Sequence, residues 1–326
     1  MCEKTCYLLL FAASLAACAS GAGTRGGSDS AADSAAEDSV MESRQLFDAD
    51  SAYSYTARQV EFGPRVPNSA AHTAAQKWLA AELKRHGAVV TLQEADLKAF
   101  DGTILHAVNI FGQINPDAEE RLLLLAHYDT RPWADEDPDP ALRRSPADGA
   151  NDGASGVAVI LETARQLKKA GFKGGVDFLL VDAEDYGQES NDESWAMGTR
   201  YFAQNPPVAG YRPARAILLD MVGGKDAVFP AEYFSRQAAP ELDDAFRRAA
   251  RKAGHADRFP AVYGSGVTDD HIELIKVGIP AIDIIDYRPE TGFAPTWHTH
   301  ADNLENIDRT TLRAVGESLL QFIISN

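Results

Sequence analysis

Cysteine is scarce in this 326-residue sequence: Cys2, Cys6 and Cys18 are the three present, all within the first eighteen positions. The rest of the chain can form no internal disulfide and offers no thiolate to a metal. Its stability has to come from a packed core, and any metal in it has to be held by oxygen and nitrogen. Basic residues are in deficit, 31 Lys and Arg against 48 Asp and Glu, for a formal net charge of -17. That balance excludes nucleic acid as a partner, because phosphate binding needs a clustered excess of cations. Long apolar runs are missing too; a helix crossing a bilayer core of roughly 30 Å needs about 20 consecutive apolar residues. What remains, with 45% hydrophobic residues, is enough for one large globular domain.

The first residues are of a different kind. Lys4 precedes the apolar run Tyr7 to Ala13, and Leu15-Ala16-Ala17-Cys18 follows. The run is too short to span a membrane and reads as the apolar stretch of a signal peptide. The four residues ending at Cys18 resemble a bacterial lipobox, in which small residues admit a peptidase that cuts before a lipid-bearing cysteine. The expectation is a lipoprotein signal peptide over 1–17 and a mature N-terminus at Cys18, with the protein exported and lipid-anchored in the bacterial cell envelope, outer-membrane or periplasm-facing. From Ala19 to about Ser43 the chain is Ala, Gly, Ser and Asp with almost no large apolar residue. Such a composition buries too little surface to offset chain entropy, so 18–45 is read as a flexible tether and 46–326 as the folded domain.

Within that domain helical and strand-like segments alternate. Ser69 can cap a helix with Trp78, Leu79 and Leu83 on one face and Gly87 as its stop, followed by strand-like Val89 to Leu92. Leu122 to Ala126, Val176 to Val181, Ala216 to Leu219 and Ile279 to Ile285 are continuous apolar runs of strand length, as in central strands covered on both faces. Helical patterns lie between them at Gly156 to Ala170, Ser194 to Gln204, Pro240 to Ala253 and Asp308 to Ile324. The fold class is α/β: a single domain with a mixed, largely parallel central sheet and helices on both faces.

In such sheets ligands bind beyond the carboxyl ends of the strands. His127 and Asp129 follow one strand, Asp182, Glu184 and Asp185 a second, Asp220 a third, and a loop after the fourth leads to Trp297-His298-Thr299-His300. The turn Asn151-Asp152-Gly153-Ala154-Ser155-Gly156 sets Asp152 among small residues, where backbone comes close to an ion with little steric hindrance. Singly, these residues have ordinary explanations: Asp152 as a helix cap, Asp220 as a strand terminator, His127 as a satisfied buried imidazole. Gathered at one edge of one sheet, that many acids are costly without a cation. Carboxylate and imidazole are what zinc accepts when cysteine is absent.

The spaced set His127-Tyr128-Asp129, Asn151 to Gly156, Asp182 to Asp185, Asp220 and Trp297-His298-Thr299 resembles the zinc aminopeptidase family and, within it, the bacterial glutaminyl cyclase branch. The resemblance implies Asp152, Asp185 and His298 as zinc ligands and Glu184 as the catalytic acid/base. It also implies Asp220 and Asp269 as acids of a network beside the metal, and Trp297 as a wall of the pocket, with Asp270 on the substrate side. Asp269-Asp270-His271 ahead of an apolar helix fits that branch. The implied reaction converts the N-terminal glutamine of peptides to pyroglutamate with release of ammonia. Asp185 is one methylene shorter than the Glu often found at its place, and the segment Tyr186 to Ser194 lacks a tryptophan that animal cyclases have there, so Trp195 or Trp133 is expected to supply that wall.

The alternative is a zinc aminopeptidase with one or two ions, in which His127 and Asp220 bind a second ion, Asp152 bridges, and Glu184 activates water. A non-catalytic binding protein on the same fold is disfavoured because every ligand type and Glu184 are present. The acidic stretch Asp135 to Pro140 lacks the spacing of a calcium loop and reads as a solvated loop bordering the site.

Overall fold

The computed structural model describes residues 46–325. The signal-peptide and tether assignments therefore lie outside the described residues. The six-stranded sheet has the order β1-β2-β4-β3-β5-β6, with β1 Val89–Lys98, β2 Ile104–Ile114, β3 Arg121–His127, β4 Gly175–Val181, β5 Arg215–Asp220 and β6 Ala281–Ile285. Four strands, β4, β3, β5 and β6, are parallel. β1 and β2 form an antiparallel pair that joins β4 antiparallel, so the sheet is mixed and largely parallel. A separate two-stranded ribbon, β7 Tyr287–Arg288 and β8 Gly292–Phe293, lies in the loop before His298.

Strand alternation sorts the apolar runs onto two faces. Leu122, Leu124 and Ala126 of β3, Phe178 and Leu180 of β4, and Ile217 and Leu219 of β5 join one cluster. They pack under α1 Ala49–Val60, α2 Ala70–Arg85, α3 Ala154–Ala170, and the C-terminal pair α6 Pro240–Lys252 and α8 Arg309–Ser325. Leu123, Leu125, Leu179, Val181 and Leu218 point the other way. They meet α4 Met197–Gln204 through Phe202 and α7 Asp270–Lys276 through Leu274. Every residue of β3, β4 and β6 is buried.

Ser69 caps α2 by accepting from the His72 N–H, and Gly87, at φ 89°, follows its end. Other boundaries differ from expectation. The strand read as Val89 to Leu92 runs on to Lys98 along the sheet edge, where Glu94, Asp96 and Lys98 face solvent. β6 is not central: it closes the opposite edge, where α5 Tyr233–Ala238 covers it and the Asp283 N–H donates to Ser235 Oγ at 2.9 Å. The helix expected from Ser194 starts at Met197, since Ala196 takes a left-handed conformation at φ 53°.

Candidate active site

The strands end on one rim in His127 of β3, Asp182 after β4, Asp220 of β5 and Asp286 after β6. Above it opens a cavity of about 290 Å³ lined by Asp152, Glu184, Asp185, Trp195, Asp220, Asp269, Trp297 and His298, among others. Asp152 arrives on the turn before α3, where a Cβ on Gly153 would run into the His127 carbonyl and ring. Three residues of the rim take left-handed backbone although none is glycine: Ala183 (φ 54°), Met221 (φ 49°) and His298 (φ 51°). Each is, or adjoins, a residue of the site.

Asp152, Asp185 and His298 each offer a ligand atom, all within 4.8 Å of one another. His298 Nε2 lies 3.4 Å from Asp185 Oδ1 and 3.7 Å from Asp152 Oδ2. Donors about 2.0–2.1 Å from a tetrahedral zinc stand about 3.3 Å apart, so the spacing fits that ion. Asp185 Oδ1 is buried and accepts no hydrogen bond, as befits an atom reserved for a cation. Burial pulls the His298 pKa down, but Asp185, Asp135 and Asp152 outweigh it and push it up to about 9: the imidazole holds a proton where the surroundings call for positive charge.

A second group, His127, Asp152 and Asp220, shares Asp152 with the first. His127 Nε2 is 3.0 Å from Asp152 Oδ1 and 3.2 Å from Asp220 Oδ1, and its Nδ1 is 3.7 Å from Asp129 Oδ1. Burial disfavours the imidazolium, yet the surrounding carboxylates of Asp129, Asp152 and Asp220 outweigh it and hold the His127 pKa well above its usual range.

Glu184 adjoins the ligand Asp185, and burial together with Asp269, Asp185 and Asp270 drives its pKa well above the ordinary carboxylate range. Asp269 is raised for the same reason, burial first and then Asp220 and Asp270. Asp270 does not line the cavity; it is fully buried at the start of α7, and burial pushes it up to about 7. The turn that aims Asp269 at the cavity sends the next side chain into the interior. The expected substrate contact of Asp270 is therefore not among the cavity walls.

Trp297 stacks on His298 with ring centroids 3.7 Å apart and on Phe293 at 4.3 Å. Trp195 lies near-parallel to the His298 ring at 6.2 Å and lines the cavity. Trp133 instead packs with Phe100 and Tyr186 at the edge of an adjoining crevice.

Several supporting residues were not assigned a role from the sequence. Asp129 accepts from the Glu184 and Asp185 N–H groups, both at 3.2 Å, fixing the acid/base and its neighbouring ligand together. Asp302 accepts from Asn151 N–H at 2.7 Å and Asp152 N–H at 3.1 Å; burial and then Asp152 push its pKa up to about 7. Buried Arg65 donates to the Asp148 and Gly149 carbonyls of the same turn. The signal for Asp129 is its place just past the end of the β3 run, and for Asp302 it is proximity in sequence to His298. The acidic stretch is not simply solvated: Asp135 binds Arg131 at 2.7 and 2.6 Å and reaches His298 Nδ1 at 3.4 Å, while Asp137 accepts from the His300 N–H at 2.9 Å.

Known proteins carry the same frame. The crystal structure of Bacteroides thetaiotaomicron glutaminyl cyclase bound to N-acetylhistamine superimposes with a TM-score of 0.84 at 47% identity, over 86% of this chain and 99% of that one. A Zn-dependent exopeptidase from Parabacteroides distasonis gives 0.84 at 50% identity, over 86% and 99%. The glutaminyl-peptide cyclotransferase of Bos taurus is 27% identical over 247 residues, 66% of this chain; the match spans 65% of that protein's length. Residues 109–323 match peptidase family M28. This chain belongs to peptidase family M28.

Proposed function

We propose that the protein is a zinc-dependent glutaminyl-peptide cyclotransferase, converting N-terminal glutamine of peptides to pyroglutamate and releasing ammonia. The observation that carries this reading is the cavity itself: Glu184 and the Asp152, Asp185, His298 triad face an aromatic wall of Trp297, Phe293 and Trp195 in about 290 Å³. That room suits one folded side chain. Likeness to a glutaminyl cyclase over 99% of its length supports it.

A zinc ion held by Asp152, Asp185 and His298 would supply Lewis-acid polarisation of the glutamine side-chain carbonyl. In the reaction the peptide's α-amino nitrogen forms a bond to the side-chain carbonyl carbon, and that carbon's bond to its amide nitrogen breaks. Glu184, which burial and the neighbouring acids make more basic than an ordinary carboxylate, accepts a proton from the amine in its ionised form and returns it to the departing ammonia, so no water is consumed. Asp220 and Asp269 face the cavity as acceptors for the N–H groups created on the way. The aromatic wall holds the side chain bent toward its own amine, which makes the attack intramolecular.

One feature favours a second reading: His127, Asp152 and Asp220 form a further ligand group beside the first, as a two-metal aminopeptidase requires. Incubation with a Gln-initiated peptide and mass spectrometry separates the two. Cyclisation removes one ammonia and leaves a single product, whereas hydrolysis yields free glutamine and a shortened peptide. Hydrolysis of Leu- or Ala-initiated peptides with Gln-peptides left uncyclised would overturn the proposal. The lipobox-like Leu15 to Cys18 supports placing this activity in the cell envelope, on a lipid anchor at Cys18.

A further inference from the structure

Asp269 stands at the end of an irregular loop, and that loop is laid along residues 231–235. Ala231 N–H donates to the Val262 carbonyl at 2.9 Å, Gly264 N–H to the Ala231 carbonyl at 2.6 Å and Tyr233 N–H to the Ser265 carbonyl at 3.3 Å. Nearer Asp269 the contact passes to the Glu232 side chain. Its Oε1 accepts from Phe234 N–H at 2.9 Å and Val267 N–H at 3.1 Å. Its Oε2 accepts from Ser235 N–H at 2.6 Å and Ser235 Oγ at 2.7 Å, and lies 3.2 Å from His271 Nε2.

Val267 and His271 flank Asp269 two residues to either side. One buried carboxylate thus holds both ends of the arc that bears it. A helix cap for α5 would need the bonds to Phe234 and Ser235 alone. Carboxylate oxygens only accept, so the His271 ring must present Nε2–H to Glu232. Its other nitrogen faces Asp283 Oδ2 at 3.9 Å. Burial pushes the Glu232 pKa up, but hydrogen bonds led by His271 outweigh it and hold the group below its ordinary range, so it stays an acceptor at neutral pH.

We infer that Glu232 is a positioning residue: it does not line the cavity, but fixes both flanks of the arc on which Asp269 faces the substrate. The turnover arm of its test rests on the cyclase reading; the backbone arm does not. Glu232→Gln keeps the size of the side chain and sets an NH₂ group among five donors, so the arc loosens. Glu162→Gln, a buried and hydrogen-bonded acid on α3 remote from the cavity, is the control for general destabilisation.

In the zinc-loaded, full-length protein, Glu232→Gln should lower kcat on a Gln-peptide by about 10²-fold, the scale of a 1 Å misplacement. KM and zinc content should stay close to wild type, and amide hydrogens from Val267 to His271 should exchange faster. Glu162→Gln should change none of these. Should Glu232→Gln fail to fold, His271→Phe removes one flank's tie, leaves the cap of α5 intact and carries the same readouts. Wild-type exchange of the arc, an unchanged kcat, or an equal loss in Glu162→Gln would overturn the inference. Absence of ammonia release from the wild type would overturn the cyclase reading and leave the exchange result to decide the role of Glu232.

Discussion

Replacing Glu184 by Gln tests the proposed acid/base at a position where two effects of opposite sign are expected. The amide matches the acid in size but cannot accept and return a proton, and proton transfer by a positioned side chain contributes about 10²–10⁴-fold. At 1.36 kcal/mol per tenfold, that is a loss of about 2.7–5.4 kcal/mol of transition-state stabilisation, appearing equally in kcat and kcat/KM. Stability should move the other way. In the metal-free protein burial, then the charges of Asp269, Asp185 and Asp270, make an ionised Glu184 unfavourable. A neutral amide removes that cost, and each kcal/mol relieved raises Tm by about 2–4 °C. Ammonia release at saturating Gln-peptide, zinc by atomic absorption and calorimetry of the metal-free protein read the effects separately. Turnover near the wild-type rate would end the acid/base assignment. Loss of zinc with normal folding would mean that Glu184 is itself a ligand.

Three further outcomes follow from the structure. His298→Ala should abolish zinc retention on dialysis against a weak chelator while leaving the far-ultraviolet circular dichroism intact; retained stoichiometric zinc would remove His298 from the ligand set. Burial, then Arg85, lowers the His86 pKa to about 4, so the folded state holds it neutral while the unfolded chain protonates near 6.5. Its contribution is therefore complete above pH 6.5 and lost as pH falls toward 4. Wild type should lose stability relative to His86→Gln over that window, by up to about 1.36 kcal/mol per pH unit, and a pH-independent difference would contradict this. Finally, Cys18→Ala should leave the protein soluble or with an uncleaved signal, and unchanged membrane fractionation would count against lipid anchoring at that cysteine.

The centre of the fold was legible because β3, β4 and β5 are covered on both faces and so spell continuous apolar runs. β2 was not marked, since its burial changes from alternating near Ile104 to continuous near Phe111 as it passes from the edge pair to the core. Residues at strand ends, His127, Asp220 and the Glu184-Asp185 pair, were readable from their place after those runs. Residues that hold them were not. Asp302 reaches Asn151 across 151 positions, and Glu232 reaches Val267 across 35. Nothing local in either sequence distinguishes such an acid from a solvated one. Asp270 is absent from the cavity walls because two successive acids look alike in sequence, while the start of a helix points them in different directions.

The left-handed backbone at Ala183, Met221 and His298 has a meaning for the history available to this chain. Each such residue costs roughly 1–2 kcal/mol, so the three together absorb a sizeable part of the 5–15 kcal/mol by which a folded protein exceeds its unfolded state. A sequence drifting under selection for robustness alone would relax those three turns, with Gly or Asn the easiest replacements. Relaxed turns would no longer hold Glu184, Asp220 and the His298 ring in their present directions. The rim is thus a place where thermal endurance and chemistry pull against each other, and laboratory evolution toward heat resistance without an activity screen should find gains there.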